Sequence, residues 1–464
     1  MTQMEWGWSA GVAALVLLGS VPYWLPGAVV ALRVRIFAMV NGEEGVSVPG
    51  GRFGAEEFKQ LYADPAANGR SKGAALSDLF WYWLAPGPQV HQEHLEPGPR
   101  YDSVARSTRR ILTRLSKDEW EALVGRVAGR TLDELQVGRT RTVRLRDVMM
   151  PVWAEVYYEL VFGEPCPAQA RDLITANAND VVSALKCTHL RHMGRRDRLT
   201  RYLVERIEAG RGPEGLSDAL SVQEQAYYLQ GTYFNTAVVQ MSEAMAHLLM
   251  VVAANPEIQQ RLRDEPGDVE YLDRIIDETL RMYPLFGVAH RITSREIVVG
   301  DAAIPGGSVL LFNYPAFHHS GTAGADRFDP ERWLRADAGQ IRNIPFGVSA
   351  NRPCPARGVA PLSMRAATRE VVRRFALATS AGHTRSLPNR GPCLVTPTAA
   401  TPEPAARTQV PAPAAARLAA LRVRDRWEDV WRSVVQLVLG TYMVFDARRL
   451  RLCRNYFAGQ EAGR

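Results

Sequence analysis

The chain has 464 residues, 46% hydrophobic and 23% charged, which excludes a disordered or fibrous protein and is enough to bury a sizeable core. Its net charge of +7 is carried almost wholly by arginine, since only four lysines are present; with no nucleic-acid motif beside it, the basicity points to an anionic membrane or an acidic partner. Five scattered cysteines, Cys166, Cys187, Cys354, Cys393 and Cys453, show neither paired nor zinc-type spacing, which argues against a disulfide framework and for a reducing compartment.

From the N-terminus, Trp6–Leu32 contains no charged side chain and is long enough to span a bilayer, even with Pro22 and Pro26 inside it. Trp6, Trp8, Tyr23 and Trp24 suit membrane interfaces, and Arg33 and Arg35 follow at once. The positive-inside tendency then leaves the downstream body in the cytoplasm. A cleaved signal peptide is the rival reading, but the segment lacks a basic n-region and its apolar run is long. Ala28–Val40 can continue as an interfacial helix. Residues 1–40 are read as an anchor and 41–395 as one catalytic unit.

Residues 50–270 read mostly as helices, with helical spacing in Tyr101–Leu115, Leu145–Phe162, Leu199–Ile207 and Ala226–Ala254. The last ends at Asn255-Pro256, a good helix stop. Lys186–Arg211 is strongly basic, either a solvated face or a contact for membrane phosphates or an acidic substrate. Tyr271–Tyr283 is helical in pattern and carries Glu278 and Arg281, three apart and so on one face. Short β-like runs follow at Ile297–Val299, Ala303–Ile304, Val309–Phe312 and Gly391–Val395, with glycine and proline turns between them. The fold class is mainly α with a small β part.

Phe328-Asp329-Pro330-Glu331-Arg332-Trp333 precedes a loop running from Phe346 through Gly347, Arg352, Pro353 and Cys354 to Gly358. A metal-ligating thiolate needs a rigid loop, shielding and stabilisation of its negative charge. Pro353 and Pro355 stiffen the approach, Arg352 and Arg357 add positive charge, and a helix-like stretch follows whose N-terminus offers free N–H groups. An inert buried cysteine is the plain alternative. Residues 396–416, rich in Pro, Ala and Thr, read as a linker. The tail, 417–464, contains Ser433–Phe445, 13 uncharged residues flanked by arginines. It is too short for a span, and is either an interfacial helix or one packed on the body.

Glu-x-x-Arg, then Phe-x-Pro-Glu-Arg-Trp, then an Arg-x-Cys loop, in that order, resemble the cytochrome P-450 family over about residues 50–395. The resemblance implies the fold of that family with an N-terminal transmembrane helix and a C-terminal helical tail, heme b (iron protoporphyrin IX) as cofactor, and Cys354 as axial ligand. It implies a buried support network of Glu278, Arg281 and Arg332, and heme contacts from Arg352, Arg291, His290 and Phe346, with Arg106 as the early-helix cation. Two departures from the family pattern stand out. Phe346 lies eight residues before the cysteine rather than seven, and Ala350 stands where Gly is usual. Counting back from Asn255-Pro256, Val239 and Gln240 occupy the places of the family's acid–Thr pair; a one-turn shift puts Asn235-Thr236 there instead. Gln240 and Thr236 are therefore the candidate catalytic positions.

The implied function is a membrane-anchored monooxygenase inserting one oxygen atom of O2 into an apolar substrate, lipid-like or a secondary metabolite. Electrons must come from an external ferredoxin or flavoprotein reductase, which the arginines at 365, 369, 373 and 374 could attract. The alternative is a heme-thiolate peroxygenase, or an isomerase or dehydratase, that does not use reductive O2 activation. A heme sensor is a third class, for which no signalling module is visible.

Overall fold

The computed structural model describes residues 3–41, 45–335, 337–383, 391–398 and 415–462. Four helices form its centre: Leu145–Phe162 packs on Val238–Ala254, and Lys117–Asp133 packs on Ala360–Arg374. Their meeting faces bury Trp120, Trp153, Met245, Leu248, Met364 and Val371 in one continuous core. Local signals fix the ends of these elements. A reciprocal Ser116–Glu119 capping box starts the helix at Lys117, and Ser221–Glu224 repeats it before Val222. Asn255-Pro256 ends the long central helix and starts Pro256–Asp264.

That central helix, Val222–Ala254, is one of two helices among the described residues that are long and apolar enough to cross a membrane, but 78% of its most apolar window is buried inside the protein. It is a core helix. The other, Leu15–Ile36, has only 6% of its window buried. Between Thr232 and Ala237 the central helix winds as a π-helix. Such wide turns break the helical ladder and recur at functional sites.

Among the described residues the β part is three small sheets. Val309–Asn313 is the middle strand of one, parallel to Val46–Val48 and antiparallel to Val288–Ile292, with Arg291 opposite Leu310. Pro392–Pro397 lies between Arg141–Arg144 and Phe375–Ala378, and Ile297–Val299 pairs with Ala302–Ile304. The strand at Pro392 runs on to Pro397, into the start of the expected linker; residues 399–414 lie outside the described ones.

The two ends of the chain come together. The N-terminal helix, Gln3–Asn41, runs unbroken past both prolines and lies alongside the C-terminal helix Ala415–Leu450. Arg33 Nη1 donates to Gln436 Oε1 at 3.1 Å, and Arg426 reaches Tyr23, so the two helices run parallel. The C-terminal helix also docks on the body. Gln436 Nε2 donates to the Lys186 carbonyl at 2.9 Å, Arg144 pairs with Glu428 at 2.7 Å, and Met443, Val444 and Ala447 pack with Leu79, Tyr82 and Cys187. A last helix, Leu452–Ala462, continues the docking through Cys453 N–H to Asp78 at 2.9 Å. Of the two placements open for the tail, packing on the body is realised, while one face of the helix stays free.

Candidate active site

The cysteine loop is held from three sides. Cys354 N–H donates to the Phe346 carbonyl at 3.0 Å, closing the loop on itself. Gly347 sits at φ +71, where a side chain would be strained and would also press on the Tyr62 hydroxyl. Asn351, which the sequence reading did not single out, donates its amide to the carbonyls of Tyr62, Asp64 and Ala67 at 2.8–3.2 Å. Arg352 adopts φ +49, a left-handed conformation costing about 1–2 kcal/mol for a non-glycine residue. Its guanidinium compensates by donating to the carbonyls of Asn68, Gln92 and Leu95 at 2.7–2.9 Å and lying over the Tyr101 ring.

Cys354 itself is half-buried. Burial pushes its thiol up to about 11, against a smaller opposing pull from the Ala356 N–H, so the free thiol is protonated at neutral pH. A metal would displace that proton. The expected support from a helix N-terminus is not adjacent, because the following helix begins only at Ala360 and residues 355–359 form turns. The N–H that touches the sulfur belongs to a turn.

Next to this loop is a concentration of buried cations. Arg291 is buried, lies over the Tyr62 ring, and donates Nη2 to the Asn351 carbonyl at 3.4 Å; its Nε and Nη1 have no partner. Arg70, which sequence reasoning missed, donates to the carbonyls of Glu93 at 2.6 Å and His290 at 2.8 Å. Burial and the neighbouring Arg291 lower Arg70 to about 10; burial and Arg70 lower Arg352 to about 9. Arg70 and Arg352 are thus lowered beside Arg291, with Glu93 and Glu96 only partly opposing the shifts, and no ion pair to a carboxylate is formed by the three guanidiniums among the described residues. His290 is no fourth cation: burial and Arg70 push it down to about 3, and its ring stacks on Phe80 while Nε2 meets the Arg70 carbonyl at 3.0 Å. Arg106, expected from the early helix Pro99–Leu112, is exposed, and Arg70 stands in the cluster instead.

The Glu278 network has the opposite character. Arg281 donates Nε and Nη2 to both oxygens of Glu278 at 2.8 and 2.7 Å, and Arg332 Nε reaches Glu278 Oε1 at 2.9 Å. The remaining Arg281 donors meet the carbonyls of His318, Ala325 and Arg327, and Arg332 meets those of Gly324 and Arg327. All three side chains are buried with their donors used.

On the central helix, Thr236 and Gln240 lie one turn apart and are both partly accessible, whereas Met241–Ala253 is buried throughout. Thr236 Oγ1 is 3.4 Å from His91 Nε2. The imidazole packs directly on the helix backbone, since a Cβ at Gly231 would come within 1.9 Å of His91 Cδ2. His91, Glu93 and His94 bring three potential ligating atoms within 4.8 Å of one another, and both imidazoles have an unpartnered Nδ1.

The basic runs are mostly answered from within. Arg365 pairs with Asp273 and Glu121 at 2.8 Å, and Arg374 pairs with Asp133 at 2.7 Å. Arg373 keeps the most exposed side chain, although it too meets Glu370. In the upstream run, Arg196 is buried against Asp180 at 2.6 Å, and Arg191 lies 3.3 Å over the Tyr82 ring, while Arg195, Arg198 and Arg201 face solvent.

A sequence model of the cytochrome P-450 family matches residues 194–401, which include Glu278, Arg291 and Cys354. The chain is similar to cyclooctat-9-en-7-ol 5-monooxygenase of Streptomyces melanosporofaciens, 28% identical over 262 residues, covering 51% of this chain and 56% of that one. It is also similar to cytochrome P-450 3A2 of Rattus norvegicus, 28% identical over 182 residues, 35% of each chain. The matched part therefore spans about half of the first relative and about a third of the second. Among solved structures, retinoic acid-bound cyanobacterial CYP120A1 aligns with a TM-score of 0.59 at 16% identity, over 74% of this chain and 87% of that one. A zebra fish cytochrome P-450 with abiraterone aligns with a TM-score of 0.59 at 19% identity, over 74% and 91%. At those identities the structural likeness shows the fold.

Proposed function

We propose that the chain is a cytochrome P-450 heme-thiolate monooxygenase, inserting one oxygen atom of O2 into an apolar, lipid-like or secondary-metabolite substrate; the family match over residues 194–401 and the similar proteins support this reading. The observation that carries this reading is the pairing of a half-buried cysteine with a buried, anion-poor arginine cluster. Iron protoporphyrin IX would find there a sulfur ligand from Cys354 and, in the spare donors of Arg291, partners for its two carboxylates. When bound, that group supplies reductive activation of dioxygen.

The protein's own part is positioning. Arg70 and Arg352 add positive charge beside Arg291, and Glu278, Arg281 and Arg332 hold the segments that lead into the cysteine loop. Phe286, just before the strand that carries Arg291, and Val288, that strand's first residue, are exposed and apolar and would offer an apolar wall for substrate. Thr236 or Gln240 would hold the water that delivers protons, and the buried His91 beside Thr236 would orient it. Gln holds water well but donates protons poorly. Val239 and Gln240 therefore favour one second reading, a peroxygenase or an isomerase or dehydratase.

Electrons would come from an acidic ferredoxin or a flavoprotein reductase. Leu15–Ile36, apolar and little buried, supports membrane anchoring with the body in the cytoplasm. The test is the spectrum of the reduced carbon-monoxide complex. The thiolate band should be present in the purified protein and lost in Cys354→His; its survival in Cys354→Ser would overturn the assignment.

A further inference from the structure

The C-terminal helix Ala415–Leu450 has one face with no partner. Its inner face is committed: Val430, Ser433, Gln436, Gly440, Met443 and Ala447 are buried. On the opposite side, Trp427, Trp431, Val434, Val438, Tyr442 and Phe445 are each between 40% and 68% exposed. They recur at steps of three and four, so they form one stripe. At about 1.5 Å per residue the stripe is about 27 Å long. Exposed apolar surface of this extent marks an interaction site on a soluble body.

We propose that this stripe is an in-plane contact with a lipid surface bearing anionic headgroups. Its composition fits, since Trp and Tyr favour the boundary between headgroups and acyl chains. Its charge fits as well. Arg424 lies three residues before Trp427 and Arg449 four after Phe445, both on the stripe's own face and both exposed; Arg449 also reaches Asp446 at 2.7 Å. The N-terminal helix that packs alongside also exposes apolar residues, among them Leu15, Leu17, Trp24 and Val34. Threading is excluded in this arrangement, because the inner face is bonded to the Lys186 carbonyl through Gln436, at the stripe's midpoint, and the next helix is bonded to Asp78 through Cys453, beyond its end. The contact does not require the N-terminal helix to span a bilayer, and it would leave the Tyr82 and Cys187 segments on the far side of the helix from the lipid.

The experiment is flotation of the full-length protein with vesicles of phosphatidylcholine alone and of phosphatidylcholine mixed with phosphatidylglycerol. The double variant Val434→Glu, Val438→Glu alters exposed positions only, and unchanged circular dichroism verifies its fold. Its binding to the mixed vesicles should fall roughly tenfold or more, as two valines fail to bury. Arg424→Gln with Arg449→Gln should keep binding but lose the preference for phosphatidylglycerol. Wild-type flotation of the double glutamate variant overturns the proposal. So does a result in which that variant dissociates an oligomer in solution without losing vesicle binding, which would make a second copy the occupant. Leu17→Glu with Leu18→Glu separates the two membrane readings: if it leaves binding intact while the C-terminal pair abolishes it, the anchor fails and this contact stands.

Discussion

Two of the buried charge clusters among the described residues, one around Glu278 and one around Arg291, differ in how their accounts of donors and acceptors close. Around Glu278 a carboxylate meets two guanidiniums, and the other donors find backbone carbonyls. Around Arg291 three guanidiniums crowd together, two donors are left over, and no carboxylate answers them directly. A buried charge that is fully paired serves the fold; buried cations kept without partners imply an anion that arrives from outside. Composition and charge alone do not separate the two, since both are built from arginine.

Substitutions should break the likeness between them in opposite directions. Glu278→Ala leaves two buried guanidiniums unanswered and should cost about 3–5 kcal/mol. Insoluble protein, or a midpoint of chemical denaturation lowered in proportion, is the expected result; a well-folded, heme-replete variant would remove the network from its structural role. Arg291→Met should do the reverse to the heme-free protein, leaving it as stable or more so because mutual repulsion with Arg70 and Arg352 is relieved. The same variant should release heme faster, by roughly tenfold to a hundredfold, if charge-assisted hydrogen bonds to carboxylates are lost. Heme transfer to apomyoglobin measures that rate. Equal destabilisation of both forms would make Arg291 a second Glu278-type support.

A smaller effect is expected on the central helix. Gln240→Ala should change the fraction of reducing equivalents lost as peroxide while leaving heme content intact, and Thr236→Ala should do less. The reverse order would put Thr236, beside His91, at the oxygen-facing position. The smallest effect concerns the C-terminal helix. Burial, with Asp425 beside it, pushes the Asp429 carboxyl up to about 7. A group raised in the folded state stabilises below its unfolded value, about 4, and that contribution is lost as pH rises through 7. Docking of Ala415–Leu450 should therefore loosen between about pH 4 and 7, seen as faster amide exchange in that helix, and Asp429→Asn should flatten the dependence.

What could be read in the sequence was set by range. Glu278 and Arg281 are one helical turn apart, Arg332 sits in a short motif of its own, and Cys354 is framed by its neighbours, so short local motifs carried the resemblance that pointed to them. The long helix ending at Asn255-Pro256 was legible from its own spacing. Arg70 was not, because a bridge between Gly69 and Ile292 brings it to the cluster across more than two hundred residues. The resemblance pointed to an early-helix cation at Arg106, yet its side of that helix faces solvent. The delay of the last core helix to Ala360 and the π turn at Thr232 depend on packing that spacing does not encode. For the tail the sequence left docking on the body and an interfacial helix both open, since Lys186 and Asp78 become a surface only after folding.

The parallel pairing of the first and last long helices also sets an order of events. Arg33 and Gln436 are 403 residues apart, and at synthesis rates of about 5–20 residues per second the second emerges roughly 20–80 s after the first. Throughout that interval the apolar helix Gln3–Asn41 has left the ribosome without its intramolecular neighbour. Any membrane or targeting factor that recognises it competes with a partner that does not yet exist, so its destination is decided by timing before it is decided by affinity.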